Sequence, residues 1–169
     1  MDLRTTQAPL KERYRADPQS SRITLRAEGV ETDAPVSCSV DLGRAIYEAE
    51  AHPGVGGPGG AACSGDLLLG ALAACAQLTG QMVATAMGVP VERLGVTVEG
   101  DLDLQGTLGT RRDVPVGFED IRVRFDVEAP EATDEQLSSL AKKTERYCVV
   151  LQTLGAPPPV RTEWAGVAR

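Results

Sequence analysis

Residues 65–89 read GDLLLGALAACAQLTGQMVATAMGV, and this stretch decides the fold. From Leu67 to Val91 there is no charged residue, which is long enough to span a bilayer. The run also carries Gln77, Thr79, Gln81 and Thr85, and acids flank it at Asp66 and Glu92. Both features argue for a helix buried on all sides within a protein core, not for a membrane span. Ser64 is a good N-cap, and Asp66 in the first turn complements the helix dipole. Gly88 followed by Val-Pro supplies the stop.

Upstream of this helix, HPGVGGPGG (residues 52–60) is a loop by composition. It lacks the Lys-Ser/Thr pair of a phosphate-binding loop and follows no suitable strand, so it reads as a plain loop. His52, the only histidine, stands at its edge without neighbouring ligand residues and reads as a solvated or loop-capping side chain. Further back, Val36, Cys38 and Val40 alternate with Ser37, Ser39 and Asp41, and Ile23, Leu25 and Ala27 alternate with polar neighbours. Two half-buried strands joined as a hairpin are predicted, with Cys38 on the apolar side as a core residue. Residues 1–20 read as an irregular N-terminal arm, and residues 21–169 as one domain with no internal repeat.

Downstream, Leu94, Val96, Val98, Leu102 and Leu104 alternate with polar residues, as do Ile121, Val123, Phe125 and Val127. These are two long strands, most simply an antiparallel pair. Thr133 and Gln136 form a capping box that opens a second helix. Along it Leu137, Leu140, Ala141, Thr144 and Cys148 recur at helical spacing, so Cys148 extends the buried stripe. After APPP, Val160 to Trp164 reads as a short last strand. The order β-β-α-β-β-α-β describes an α+β domain around a long buried central helix.

The chain has 169 residues, 42% of them hydrophobic, and a formal net charge of −7. That charge argues against a nucleic-acid partner, and the scattered Lys and Arg residues form no membrane-surface patch. The charged N-terminus lacks the apolar core of a signal peptide, which gives the expectation of a cytoplasmic, reducing location. Four cysteines (Cys38, Cys63, Cys75, Cys148) then read as buried, catalytic or redox-active residues, not as a disulfide framework. No C-x-x-C and no Cys–His pair at ligand spacing points to zinc.

A reactive cysteine works as thiolate, so something nearby must favour the charged form. Cys75 lies about three turns into its helix, too far from the N-terminus for the dipole to help. A cation from elsewhere in the fold is therefore expected, with Arg22, Arg26 and Arg146 as candidates. Cys63, next to the helix N-cap, is a further candidate as partner of Cys75 or as the reactive thiol itself. If Cys75 and Cys148 meet, peroxide oxidation of one and condensation with the other follow naturally. Otherwise both are inert core residues.

The stretches GDLLLGALAACAQLTGQMVATAMGV, VTVEGDLDLQGTLG, GFEDIRVRFDVEA and LAKKTERYCVVLQTL resemble the OsmC/Ohr family over roughly residues 20–165. The resemblance implies an intertwined homodimer with the long helices packed centrally between sheets and active sites at the subunit interface. It implies peroxidase activity toward organic hydroperoxides, and in some members hydrogen peroxide. Cys75 would be the peroxidatic residue and Cys148 the resolving one. A dithiol such as a lipoylated protein would restore the pair, and no metal or organic cofactor is implied.

Two departures stand out. Hydroperoxide reductases of this family carry a Glu ten residues before the first cysteine, which holds the activating arginine. Here that position is Gly65, and the acid is Asp66, one residue later, as in less-studied branches. The arginine comes from the N-terminal strands in the family, so Arg26 or Arg22 would supply it. The residue after the second cysteine, often Pro, is Val149. The rival readings are an OsmC-like homodimer that binds a small hydrophobic or electrophilic ligand without catalysis, and a thiol sensor of oxidants.

Overall fold

The computed structural model describes residues 3–25, 27–31, 37–43 and 45–166. Helix α1 (Leu3–Ala16) occupies the segment expected to be an irregular arm. It is followed by one 3-10 turn, Pro18–Ser21, capped by the Asp17 carboxylate on the Gln19 N–H. Strands β1 (Glu28–Glu31), β2 (Ser37–Asp41) and β3 (Ile46–Glu50) form an antiparallel sheet in sequence order. The hairpin between the first two is as expected, but its first strand begins later than the Ile23–Ala27 alternation suggested. Residues 22–25 and 27 are irregular. Cys38 is half-buried, opposite the buried Ala49 in the register.

The glycine-rich loop is fixed to the end of β3. The Glu50 carboxylate accepts hydrogen bonds from the backbone N–H of Gly60 (2.6 Å) and Ala61 (3.1 Å). Within the loop, His52 Nδ1 accepts from the Gly54 N–H at 3.0 Å and caps the turn Pro53–Val55, the loop-capping role expected of it.

Helix α2 (Ser64–Met87) is the uncharged run. Its N-cap is Cys63, one residue before the expected Ser64, and Asp66 closes the cap by accepting from the Cys63 N–H at 2.9 Å. Gly88, with φ +68°, takes the left-handed turn that ends the helix. Long strands β4 (Arg93–Asp101) and β5 (Asp120–Glu128) pair antiparallel along their whole length. The one-turn helix α3 (Leu104–Thr107) lies in their connection. Helix α4 (Asp134–Tyr147) opens on the expected Thr133–Gln136 capping box, and helix α5 (Val149–Gly155) follows after a break at Cys148. Val160 to Trp164 forms no strand, and both end residues are exposed. The last expected strand is therefore absent, and among the described residues none of the strands pairs with this segment.

One core joins α2 to the β4–β5 face and to α4 and α5. At one end of α2, Val83, Ala84, Val89 and Leu140 pack together. At the middle, Leu72, Ala76 and Cys148 do so, flanked by Val96, Val98, Ile121, Val123 and Phe125. Gly80 permits the close crossing between these two clusters, since a Cβ there would stand 2.9 Å from Leu94 Cδ1. The opposite face of β4–β5 is a ladder of exposed ion pairs. Arg122 binds Asp101, Asp120 and Glu99, and Arg124 binds Asp126.

Helix α2 is long and apolar enough to cross a membrane, but one of its faces is committed to this core. The expectation of burial on all sides does not hold within a single chain. Leu68, Leu78 (59% exposed) and Met82 remain uncovered on the other face.

Candidate functional site

Cys75 is the twelfth residue of α2, so the N-terminus of its own helix lies about 16 Å away at 1.5 Å per residue. Its half-buried side chain packs on the Leu72–Ala76–Cys148 cluster. One turn further along, Thr79 Oγ1 stands 4.0 Å from Cys75 Sγ.

Cys148 ends the buried α4 stripe of Leu140 and Thr144 as the C-cap of that helix. Its backbone turns out of the helix (φ −72°, ψ 105°), while its N–H still donates to the Thr144 carbonyl at 3.0 Å. Its own carbonyl accepts from the Gln152 N–H at 2.9 Å and starts α5. The residue is thus C-cap of one helix and N-cap of the next, and fully buried. That break turns the first N–H groups of α5 toward Cys75.

The consequence is an asymmetric thiol pair. Burial pushes the Cys75 thiol up. Hydrogen bonds from the Val150 N–H, the Cys148 thiol, the Thr79 hydroxyl and the Val149 N–H more than offset this, and the net shift is downward. For Cys148 burial again raises the pKa, and donating to Cys75 beside its developing charge adds to the rise, against smaller opposing effects from the Leu151 and Val150 N–H groups. Cys75 is therefore the more acidic of the two thiols and Cys148 the one that keeps its proton longer. A second helix start supplies part of the stabilisation that the first cannot, a source that spacing along α2 alone does not reveal.

Among the described residues, no cation is one of the groups that set the Cys75 thiol. Arg22 is exposed in the irregular stretch after the 3-10 turn. Arg146 lies over the Tyr147 ring, 5.6 Å from its centroid. Arg26 lies outside the described residues.

The region around Gly65 forms a separate cavity of about 580 Å³ at the start of α2. Ala51, His52, Cys63, Asp66, Leu69 and Phe118 are among the residues that line it. A Cβ at Gly65 would meet Phe118 Cζ at 3.4 Å and Cys63 Sγ at 3.5 Å, so space does not dictate the glycine. Asp66 is exposed, and its carboxyl sits below the usual range, chiefly through the Cys63 N–H and thiol. This cap is complete above the unfolded-state pKa near ~3.9 and weakens as pH falls through the lower folded value. Asp66 and Cys63 thus serve each other at the helix start, two turns or more before Cys75. Neither Cys63 nor Asp66 is among the groups that set the Cys75 thiol.

Val149 sits where a proline would fit the first turn of α5, because Cys148 is already extended. Val149→Pro is expected to leave the fold intact and to remove one N–H donor from Cys75. Iodoacetamide labelling of Cys75 at pH 7 should slow by up to about tenfold, the value of one ordinary net hydrogen bond. Unchanged labelling would mean that this donor contributes nothing.

Residues 57–163 match the family described as OsmC-like protein. No curated protein sequence matches the chain. Among solved structures, an OsmC-like protein from Mycoplasma pneumoniae superposes with a TM-score of 0.66 at 18% identity, covering 80% of this chain and 89% of its own. An organic hydroperoxide resistance protein OsmC from Legionella pneumophila gives 0.58 at 17% identity, covering 80% and 92%. One from Elizabethkingia anophelis gives 0.56 at 18%, covering 80% and 91%. At these identities the likeness is one of fold, an α+β architecture with a long central helix. With the match spanning more than half of its length, the chain belongs to the OsmC-like protein family.

Proposed function

We propose that the chain is a thiol-dependent peroxidase that reduces organic hydroperoxides, with Cys75 as the attacking sulfur and Cys148 as its resolving partner. The observation that carries this reading is the packing of half-buried Cys75 against fully buried Cys148 in one cluster, with the Cys75 thiol lowered and the Cys148 thiol raised. Membership in a family whose relatives include organic hydroperoxide resistance proteins supports a peroxidase-like or stress-related role.

The reaction balances with these groups. The Cys75 thiolate attacks the terminal peroxide oxygen and the O–O bond breaks. The electron pair leaves as alkoxide, which takes one proton from solvent to become the alcohol. Cys75 is then a sulfenic acid. Cys148 attacks it, the S–O bond breaks, water leaves, and a disulfide joins the two residues. An external dithiol, such as a lipoylated protein, reduces that disulfide and is itself oxidised.

A homodimer in the cytoplasm belongs to the same proposal. The β1–β3 sheet is tied to the rest of its chain mainly through its last strand, at Ala49–Ala62 and Glu50. Helix α2 leaves Leu78 and Met82 uncovered. A second copy laid across both surfaces removes this apolar area from water.

A second reading has its own observation. Gly65 replaces the family Glu beside the 580 Å³ cavity, a volume suited to a small ligand. This favours a non-catalytic homodimer that binds a small hydrophobic or electrophilic molecule. Consumption of cumene hydroperoxide with dithiothreitol or a dihydrolipoyl reductant separates the two. Steady turnover is expected, and its absence in the wild-type protein would leave the binding reading.

A further inference from the structure

We propose that Thr79 is a positioning residue for Cys75, holding its thiolate through a hydroxyl one helical turn away at 4.0 Å. The inference deepens the peroxidase reading and rests on Cys75 being the working sulfur. Among the described residues, the Val149 and Val150 N–H groups, the Cys148 thiol and the Thr79 hydroxyl favour the charged form of that sulfur, and the Thr79 oxygen stands in contact with it. The first two are backbone, and the third is consumed when the disulfide forms. Thr79 is the remaining side chain, and it keeps its hydroxyl through every step.

The local structure favours this use. Residues four apart on a helix lie one above the other, so the Thr79 side chain falls on the Cys75 face. A helical threonine can hydrogen-bond back to the carbonyl four residues earlier. Thr85 does this, donating to the Gln81 carbonyl at 2.9 Å. Thr79 instead directs its oxygen to the Cys75 sulfur. Valine has the same shape without the hydroxyl, so the two roles of the side chain can be separated.

The test is the pH profile of Cys75 alkylation by iodoacetamide, with the site identified by peptide mass. Thr79→Val should move the midpoint upward and slow labelling at pH 7 by roughly threefold to tenfold, the range for an ordinary net hydrogen bond. Thr79→Ser should restore the profile to within about twofold of wild type, as a hydroxyl role requires. Thr79→Ala repeats the comparison should the valine variant fold poorly, with far-UV circular dichroism as the check on folding. An unchanged midpoint in a folded Thr79→Val or Thr79→Ala protein overturns the proposal. So does Thr79→Ser behaving like Thr79→Val. Alkylation requires no hydroperoxide, so a wild type without turnover would sink the peroxidase reading and leave this result standing by itself.

Discussion

Replacing Cys75 by serine is expected to reduce hydroperoxide consumption to the uncatalysed background, a loss on the order of a thousandfold or more. The serine hydroxyl would stay protonated under the same donors, because an alcohol is a far weaker acid than a thiol. Cys148→Ser should behave differently. Its Cys75 can still attack once, so a single-turnover burst of alcohol is expected, followed by a stall at the sulfenic acid until external thiol arrives. The contrast follows from the unequal pair, in which Cys75 is the more readily ionised thiol. Equal loss of the burst in both variants would contradict the assignment of roles. Turnover that survives Cys75→Ser would point to Cys63 or Cys38 instead.

Leu72→Ala is expected to give the largest loss of stability from a single side chain. Leu72 is fully buried and packs in the cluster that contains Ala76 and Cys148. Truncating it leaves a cavity between α2 and the β4–β5 face, costing about 2–5 kcal/mol. For a domain of this size a 3 kcal/mol loss lowers the melting temperature by roughly 6–12 °C. Denaturant or thermal unfolding checks this directly. A change below about 1 kcal/mol would mean that the packing around the thiols is looser than described. The same substitution should slow Cys75–Cys148 disulfide formation, because Leu72 supports the contact between the two helices that carry them.

Much of this architecture is written in the chain. The uncharged run between Asp66 and Glu92 marks α2, and Gly88 marks its end to the residue. Alternation gives β5 and most of β4, which ends at Asp101 while Leu104, expected in the strand, opens α3, and the Thr133–Gln136 pair gives the start of α4. Other elements carried weaker signals. Helix α1 is polar and contains Pro9, and so shows no clear apolar stripe. Strand β3, IYEAE, mixes Ala and Glu into a short segment, and its partner β2 decides its conformation. Val160 to Trp164 alternates like a strand but has no neighbour, and pattern without pairing is not enough.

The site divides in the same way. Cys75 and Cys148 were legible as two sulfurs on apolar helical positions. Their meeting depends on how α2 crosses the α4–α5 junction, which no local pattern encodes. The break at Cys148 carries neither Gly nor Pro, and the apolar spacing continues across it, so the sequence reads as one helix. The N–H groups exposed by that break belong to the backbone and are invisible to any reading of side chains. For this reason spacing alone calls for an arginine, whereas the chain also brings neutral donors to Cys75.

The most direct test of the central claim is peptide mass mapping after one equivalent of cumene hydroperoxide, with remaining thiols blocked. A linked pair of peptides carrying Cys75 and Cys148 is expected, lighter by two hydrogens than the reduced pair, with Cys38 and Cys63 recovered as blocked thiols. A disulfide from Cys75 to Cys63, or a Cys148 recovered as free thiol beside an unoxidised Cys75, would contradict the claim.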